Sequence, residues 1–510
     1  MKLIGAENEY TVFFRNSGIF GYNSKTETVI PEFNWHLAQK EHSPILYKKS
    51  SSVIAAVTPL YDCWLKNGGR VYLDRQYTEY ATPECETIKE LTLAERAGER
   101  IITKIFSNLE QESLYILKRT SSAEFHNIRQ KEKTGGSHEN YEINKDLFGK
   151  LTAKQYNLTN EQIILIGHIA SRIIYTGAGH ISAKKADDSW DNLNFFISPR
   201  AVFLKSLVAD ETLANRPFIN CRNESFSNNN SRLHLICGDT NRSDWSLYLK
   251  YGITALILTF METADSEDVD KLAQYLKISS PRGFIIALSG KFSSNFSGEQ
   301  SRFQKAIDMQ IRIISAMYKY RVKMEQILPE TEKIISQWET VINSLATGDG
   351  YFNDKLDWLI KKKIYEEIFA SPIKDLSKIS DKRLIRRLLQ YDLSYHRVNQ
   401  KDLFSKFVKK GYISQIHSIG EEIIRVNQPP KGKAKRRTQI LDYIKTQNLE
   451  NFIVNDQLWK SIELRQTINS SPDLGAGTDY SIEGTVIALD SEDMEMLKLK
   501  IDKFKKKIGG

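Results

Sequence analysis

Alternating apolar and polar residues predict several short β-strands in the first half of the chain. The clearest case is the sequence RVYLD, in which Arg70, Tyr72 and Asp74 fall at every second position. Alternate side chains of a β-strand share one face, so these three polar groups would lie together. Val71 and Leu73 would point from the other face into the core. The pattern therefore predicts a strand with one chemical face and one packing face.

The same alternation recurs in two other segments. Glu7 and Glu9 share a face in the sequence GAENEY, and Arg232 and His234 share a face in SRLHLIC. Glu79 follows the first strand closely along the chain. A single strand of this kind is more often a half-solvated strand than a site. Three of them supply carboxylates, an imidazole and arginines, which suit a divalent metal and nucleotide phosphates.

Apolar residues spaced three and four apart predict amphipathic helices elsewhere. The main segments are 91–109, 302–327 and, with a basic polar face, 490–508. Their apolar stripes are interpreted as core packing. Two consecutive prolines follow Gln428 and cannot continue a helix, so they mark a break in the chain.

The domain organisation predicted from these patterns has two parts. All candidate site strands lie within residues 1–410, which we assign to one catalytic domain. The remaining segment, 411–510, has short helical pieces and is assigned to a small C-terminal domain.

The composition is that of an ordinary globular protein. Of 510 residues, 41% are hydrophobic and 26% are charged. The sequence contains no run of about 18 apolar residues that could span a membrane, so no membrane partner is expected. The start lacks the apolar stretch of a secretion signal, and the four cysteines are widely spaced with no CxxC motif. We therefore expect a cytoplasmic protein with reduced thiols.

The net charge of +9 raises the question of nucleic-acid binding. The positive residues are scattered, apart from short runs at 431–437 and 498–507, and such runs usually form solvated faces. Nucleic acid is therefore not expected as the main partner. An acidic protein partner explains the charge more economically, because opposite charges steer protein encounters.

Ten short motifs, in order along the chain, carry a family resemblance. They are GAENEY from Gly5, NGGRVYLD from Asn67, EYATPEC from Glu79, RAGE from Arg96, GSHENY from Gly136, GAG from Gly177, RPFINCR from Arg216, RLHLICGD from Arg232, LDWLIK from Leu356 and QPP from Gln428. Together they resemble the Pup ligase and depupylase family, where Pup is the prokaryotic ubiquitin-like protein. The family is related to glutamine synthetase.

The resemblance implies an α+β fold, in which a glutamine-synthetase-like curved, mainly antiparallel sheet forms a cradle backed by helices. A small C-terminal domain lies beside it. The implied cofactors are ATP and Mg²⁺. The implied partners are a small acidic Pup-like modifier protein and lysine-bearing target proteins.

The resemblance also assigns roles to individual positions. The residues that match the magnesium positions are Glu7, Tyr72 and Glu79. The residues that match ATP contacts are Arg70, Thr82 and Trp459. Asp74 matches the catalytic aspartate, a base that acts on the incoming nucleophile. The additional residues expected to line the cradle are Glu9, His138, Glu139, Arg222 and His234.

The family contains two opposed activities. Ligases join the C-terminal glutamate of the modifier to a lysine through a γ-glutamyl phosphate and release ADP and phosphate. Depupylases hydrolyse that bond, or deamidate a terminal glutamine, with a nucleotide that is not consumed. The short connection at 13–66 and the motif LDWLIK are similar to ligases, so we interpret the chain as a ligase.

Two alternatives stay open at this point. The sequence GSHE from Gly136 and the five-residue step from Asp74 to Glu79 resemble depupylases. A non-catalytic nucleotide-binding protein is the other alternative, although retention of the acidic residues argues against it. After Arg222 the family's acidic pair, proline and histidine are replaced by NESF, so recognition of the substrate's glutamate end is expected to differ.

Overall fold

The computed structural model describes most of the chain. The described residues are 2–14, 45–46, 62–74, 77–106, 114–118, 135–186, 189–212, 214–222, 231–292, 299–369, 376, 379, 381–398, 402–446, 452–455, 461–468, 480–488 and 494–507. Trp459 and the segment that follows Arg222 lie outside them.

Fifteen β-strands occur among the described residues. They are β1 (Ile4–Phe14), β2 (Ile45–Leu46), β3 (Asp62–Trp64), β4 (Arg70–Asp74), β5 (Tyr77–Ala81), β6 (Leu114–Lys118), β7 (Ser137–Ile143), β8 (His180–Ala186), β9 (Ser189–Phe196), β10 (Ser206–Ala209), β11 (Pro217–Asn220), β12 (Ser231–Leu235), β13 (Phe452–Asn455), β14 (Ser461–Ile468) and β15 (Tyr480–Ala488).

Sixteen α-helices occur in the same part of the chain. They are α1 (Ile88–Ile105), α2 (Lys145–Thr152), α3 (Asn160–Ser171), α4 (Ile173–Thr176), α5 (Asp244–Thr263), α6 (Ser266–Leu276), α7 (Pro281–Ser289), α8 (Glu299–Met317), α9 (Arg321–Glu325), α10 (Thr331–Thr347), α11 (Asp357–Phe369), α12 (Lys382–Tyr395), α13 (Leu403–Lys409), α14 (Ile419–Asn427), α15 (Lys433–Thr446) and α16 (Met494–Lys507).

Eight strands form the main sheet, in which neighbouring strands are antiparallel. The order is β12-β7-β1-β5-β4-β3-β2, and β6 pairs with the second half of β1. The sequence showed alternating apolar and polar residues in β1, β4 and β12. These three strands therefore share one sheet. The short parallel pair of β10 and β11 makes the fold mainly, and not wholly, antiparallel.

Helix α1 covers one face of the main sheet. It begins after Thr87, whose side chain accepts a hydrogen bond from the backbone N–H of Glu90. Tyr80 on β5 points towards this helix and donates its hydroxyl to the carbonyl oxygen of Ala94 at 3.0 Å. Gly98 is required at this contact, because a Cβ there would overlap the Tyr80 ring. The residues next to Tyr80 along β5 point to the opposite face of the sheet, because successive side chains of a strand alternate between the two faces.

Helix α5 is the centre of the largest hydrophobic core. Its sequence is apolar nearly all round, which is typical of a helix enclosed on every side. It begins at Ser243, whose hydroxyl accepts the backbone N–H of Trp245. Buried residues of α3, α8 and α10 belong to the same core, so these helices and α5 are packed into one unit.

The C-terminal segment joins the earlier elements through buried ion pairs. Glu422 on α14 accepts from Arg96 of α1 at 3.2 Å, and Arg437 on α15 donates to buried Glu84 at 2.7 Å. Beyond α15, strands β13 to β15 form a separate antiparallel sheet, and α16 follows. The boundary between two domains stays a prediction, and residues 411–446 share buried partners with the elements before it.

The structure confirms the predicted α+β class with a mainly antiparallel sheet. The predicted helices correspond to α1, to α8 with α9, and to α16. The break predicted after Gln428 separates α14 from α15. Among the described helices, none has the combined length and apolar character that crossing a bilayer demands.

Candidate active site

The register of the main sheet gathers predicted site residues on the face opposite α1. Glu7 on β1 lies across from His138 on β7, and Glu79 on β5 lies across from Tyr72 on β4. His234 lies on β12, which pairs with β7. We call the open face formed by these five side chains the cradle. Five neighbouring strands contribute to it, because alternate residues of each strand point the same way.

Glu7 is the centre of the cradle. Its Oε2 lies 3.1 Å from Nδ1 of His138 and 3.5 Å from Nε2 of His234. Its Oε1 lies 3.1 Å from the side-chain nitrogen of Asn140 and 3.4 Å from the guanidinium of Arg232. The two residues predicted to share a face of β12 therefore both approach the same carboxylate.

The surroundings of Glu7 keep it ionised. Burial alone raises the pKa of this carboxyl, but His234, His138 and Arg232 together hold it well below its usual range. Positive charge and donated hydrogen bonds favour the charged form of a carboxylate. Glu7 is therefore an anion at neutral pH and can serve as a hard oxygen ligand.

Tyr72 and Glu79 form the second part of the cradle. Burial, followed by the charges of Glu79 and Glu7, raises the pKa of Tyr72 well above its usual value. The phenol thus stays protonated and hydrogen-bonds to Glu79. Glu79 is almost fully buried, and its Oε1 lies 3.7 Å from Nδ1 of His138. The carboxylates of Glu7 and Glu79 therefore approach the same imidazole nitrogen.

The cradle contains a group of side chains that could hold a metal ion. Ligand atoms of Glu7, His138 and His234 all lie within 4.8 Å of one another. Carboxylate oxygens suit magnesium and manganese, while imidazole nitrogens suit zinc, iron, copper and nickel. The donor set fits a divalent cation, and Glu79 adds a second negative charge nearby.

Arg70 begins β4 and Thr82 directly follows β5, and these two residues are the predicted nucleotide contacts. The Arg70 guanidinium lies 5.2 Å from the ring centre of Trp64 and 5.8 Å from that of Tyr72, so two aromatic faces position it. The Thr82 hydroxyl accepts the backbone N–H of Ala6 at 2.9 Å. This contact ties the end of β5 to β1, and the hydroxyl proton can still be donated.

Glu9 binds the backbone at the start of β7, whereas Glu7 contacts side chains of the cradle. Its Oε2 accepts the backbone N–H of Gly136 at 3.0 Å, just before β7 begins. Arg200 holds the same region from another side, donating to the carbonyl oxygen of Gly135 and, at 2.6 Å, to that of Ile236. Glu9 and Arg200 thus fix the start of β7 and the end of β12, the strands that carry both cradle histidines.

Glu139 lies on the opposite face of the sheet from the cradle. It is fully buried and forms a two-pronged ion pair with Arg172, at 2.5 and 2.9 Å. Tyr141 donates its hydroxyl to the same carboxylate at 2.8 Å. The expected place of Glu139 in the cradle is therefore not what the structure shows. Its neighbour His138 occupies the cradle, and alternation along β7 sends Glu139 to the packed side.

The remaining predicted residues are not brought into the cradle by the described contacts. Arg222 is exposed after β11 and donates its Nε to the carbonyl oxygen of Asp210 at 2.8 Å. The backbone of Asp74 ends β4 and pairs with Tyr77, while its side chain lies outside the description. Trp459 lies in a segment that is not described.

The sequence analysis missed two residues that the structure places at the site. Asn140 binds Glu7, and Arg200 anchors β7 and β12. Asn140 could have been found, because it stands two positions after His138 and shares its face. Arg200 follows β9 in an irregular segment, where no periodic pattern signals its contacts.

Comparison with known proteins gives one consistent result. A family described as Pup-ligase protein matches residues 2–462 of the chain. A Pup–protein ligase of Renibacterium salmoninarum is 25% identical over 450 residues, covering 84% of this chain and 89% of that protein. A Pup–protein ligase of Kineococcus radiotolerans is 27% identical over 382 residues, covering 72% of this chain and 77% of that protein.

Solved structures share the fold. The complex between the prokaryotic ubiquitin-like protein Pup and its ligase PafA matches with a TM-score of 0.67 and 20% identity, covering 99% of this chain and 92% of that one. The Pup ligase PafA in complex with ADP matches with a TM-score of 0.63 and 21% identity, covering 96% and 98%. The predicted fold is thereby confirmed.

Proposed function

The chain belongs to the Pup-ligase protein family, and we propose that it is an ATP-dependent ligase that forms isopeptide bonds. It joins the side-chain carboxylate of the C-terminal glutamate of a Pup-like modifier to a lysine amine of a target protein. The observation that carries this proposal is the meeting of Glu7 and Glu79 at one imidazole of the cradle. Such a concentration of negative charge on an open face suits a metal–nucleotide complex.

The reaction needs an activated carboxylate, because an amine does not displace oxygen from a free one. The modifier's carboxylate attacks the γ-phosphorus of ATP, the bond to the β-phosphate oxygen breaks, and ADP leaves. A γ-glutamyl phosphate results. The lysine nitrogen then attacks the acyl carbon, the carbon–oxygen bond to phosphate breaks, and inorganic phosphate leaves with the isopeptide bond formed.

Magnesium would be held by Glu7, Tyr72 and Glu79, with His138 and His234 beside them. When bound, the ion would neutralise phosphate charge during transfer. The ionised state of Glu7 supports this assignment, because a protonated carboxyl would bind a cation poorly. Tyr72 stays a phenol, so its hydroxyl both orients Glu79 and offers a neutral oxygen.

The remaining roles concern the nucleotide and the proton. Arg70, held between two aromatic rings, would meet the phosphates, and the hydroxyl of Thr82 would donate to the nucleotide. Trp459 is proposed to contact ATP from the C-terminal segment. Asp74 is the proposed base that removes a proton from the lysine ammonium, because only the free amine is nucleophilic.

A depupylase-like hydrolase is the second candidate, and one observation favours it. His138 belongs to the motif GSHE, which resembles depupylases, and it lies in the cradle beside Glu7. The two activities use the same metal–nucleotide site and differ in whether ATP is spent. A non-catalytic nucleotide-binding protein has no such observation in its favour.

The test is a conjugation assay with the purified protein. ATP, Mg²⁺, a glutamate-ended modifier peptide and a lysine-bearing protein are mixed, and mass spectrometry searches for a new isopeptide bond. The wild type should form the bond, and Glu7→Gln should not. Glu267→Gln on the exposed surface of α6 is the matched control and should behave as the wild type. Equal conjugation by Glu7→Gln would contradict the proposal.

A further inference from the structure

A second concave site lies on the side of the main sheet opposite the cradle. It is a cleft of about 720 Å³ between the second half of α1, helix α13 and the start of α14. Helix α1, which lines the cleft, packs on the face of the sheet opposite the cradle, since Tyr80 donates to Ala94 of that helix while the adjacent Glu79 approaches His138 in the cradle. The cleft is therefore distinct from the proposed site of the reaction.

The floor of the cleft is a buried network of ion pairs. Glu99 lies 2.5 Å from Arg96 and 3.2 Å from Arg242, and Arg242 also lies 3.4 Å from Asp402. Glu422 closes one side, 3.2 Å from Arg96. Each carboxylate that lines the cleft is thus already paired with an arginine, and the floor is rigid.

The rim of the cleft adds further cations. Lys104 on α1 and Lys406 and Lys409 on α13 line it, and all three are exposed. Within the described parts of the chain, no carboxylate pairs with Lys406 or Lys409. The lining as a whole has six lysine or arginine side chains and three carboxylates, which leaves an excess of positive charge. His417 adds none at neutral pH, because burial lowers its pKa to about 4.

The dimensions and walls of the cleft suit a small organic molecule. Its volume lies within the range of roughly 300 to 1,000 Å³ that is usual for small-ligand sites. Val398, Val408 and Ile419 supply apolar wall between the charged side chains. A ligand with an organic body and anionic groups would match both kinds of surface.

We propose that this cleft binds a small polyanion, an organic molecule with two or more phosphate or carboxylate groups, through Lys104, Lys406 and Lys409. The floor adds no net charge, because three arginines face three carboxylates there, so the excess positive charge of the cleft comes from the three rim lysines. This inference does not depend on the proposed ligase function.

Calorimetry without nucleotide and without Mg²⁺ tests the proposal. Inorganic pyrophosphate is the phosphate probe, and citrate is the polycarboxylate probe. The variant is Lys406→Glu with Lys409→Glu, and the matched control is Lys410→Glu, which stands next in the chain and does not line the cleft. The double variant should bind the probes at least tenfold more weakly, and the control should bind them as the wild type does.

Several outcomes decide the question. Binding of pyrophosphate alone assigns phosphate ligands, and binding of citrate alone assigns polycarboxylates. Equal probe affinity in the double variant and the wild type would overturn the proposal, as would failure of both probes to bind. Binding of a polyglutamate peptide but neither small probe would also overturn it. An unchanged free energy of unfolding in urea shows that the double variant is folded.

Discussion

Glu7 and Glu139 are carboxylates on neighbouring strands of one sheet, yet their surroundings are opposite. Glu139 is fully enclosed, and Arg172 and Tyr141 satisfy it. The Glu7 side chain stays 13% exposed and lies among imidazoles, with a second carboxylate, Glu79, nearby. A satisfied buried ion pair is a structural element. Two carboxylates that meet at one imidazole suit a bound cation, and this difference identifies the candidate site.

The same contrast holds between whole regions. Behind the sheet, Lys118 contacts both Glu95 and Glu99 inside the protein, so charges there are matched one against another. On the cradle face, the acidic residues Glu7 and Glu79 converge on one imidazole, and Glu7 also contacts a second imidazole and Arg232. Ionisable residues alone therefore do not mark a site, and their pairing and exposure decide their role.

The largest expected effect is on stability and separates the two glutamates. Glu139→Gln leaves the Arg172 charge buried and uncompensated, which typically costs about 3–5 kcal/mol. Glu7→Gln should cost less than Glu139→Gln, since the partners of Glu7 are 12–16% exposed and water can reach them when the carboxylate is lost. Urea denaturation of both variants measures the difference. Similar losses for the two variants would remove the basis of the comparison.

A pH titration of stability examines the buried network. Burial raises the pKa of Glu99, but Arg242, Arg96 and Lys118 outweigh it and lower the value from 4.5 to about 2. An acid whose pKa is lower in the folded protein than in the unfolded chain stabilises the fold at pH values above the unfolded pKa. For Glu99 this contribution is lost as pH falls from about 4.5 to about 2. It amounts to about 3 kcal/mol.

Glu99→Gln is the variant for this titration. Its unfolding free energy should fall less steeply than that of the wild type between pH 4.5 and pH 2, because the titrating group is absent. Urea denaturation at a series of pH values measures both slopes. Parallel slopes would mean that Glu99 is not the stabilised acid.

On the cradle side, the largest kinetic effect is expected at Asp74. Asp74→Asn keeps the shape of the side chain but cannot take a proton, so turnover should fall at least ~100-fold. ATP affinity should persist, because the proposed role concerns the nucleophile. Steady-state kinetics and calorimetry on the same preparation separate the two quantities. Normal turnover in Asp74→Asn would exclude this residue as the base.

A smaller effect is expected for nucleotide binding at Glu79. Removing its carboxylate in Glu79→Ala leaves less negative charge to hold a metal, so affinity for ATP–Mg²⁺ should fall by about an order of magnitude. Calorimetry without Mg²⁺ is the control and should show little difference from the wild type. Unchanged affinity with Mg²⁺ would argue against a metal role for Glu79.

The sequence predicted the cradle where a period of two was enough. The alternation of Arg70, Tyr72 and Asp74 predicted a strand with a polar face; β4 spans these residues, and Tyr72 lies in the cradle. The same period of two puts His138 and Glu139 on opposite faces of β7. The sequence analysis nevertheless expected both in the cradle, because both belong to the motif GSHENY. The period of a strand was the better guide there, because a motif does not say which way each side chain points.

Other features depend on tertiary packing and were beyond the sequence. Arg172 and Arg200 find their partners in segments far away along the chain, and neither stands in a periodic polar pattern. The proline break after Gln428 was correctly located between two helices. The domain boundary at residue 410 stays a prediction. Ion pairs such as Glu422 with Arg96 join residues on its two sides.

The most direct test of the central claim is the ratio of ADP formed to isopeptide bonds formed. A ligase spends one ATP for each acyl phosphate, so ADP should equal or exceed the bonds counted by mass spectrometry. The assay contains the protein, ATP, Mg²⁺, a glutamate-ended modifier and a lysine-bearing target, and a parallel sample contains a preformed conjugate. We predict at least one ADP per new bond. Cleavage of the preformed conjugate, with no bond formation and no matching ADP, would contradict the ligase assignment and indicate a depupylase-like hydrolase.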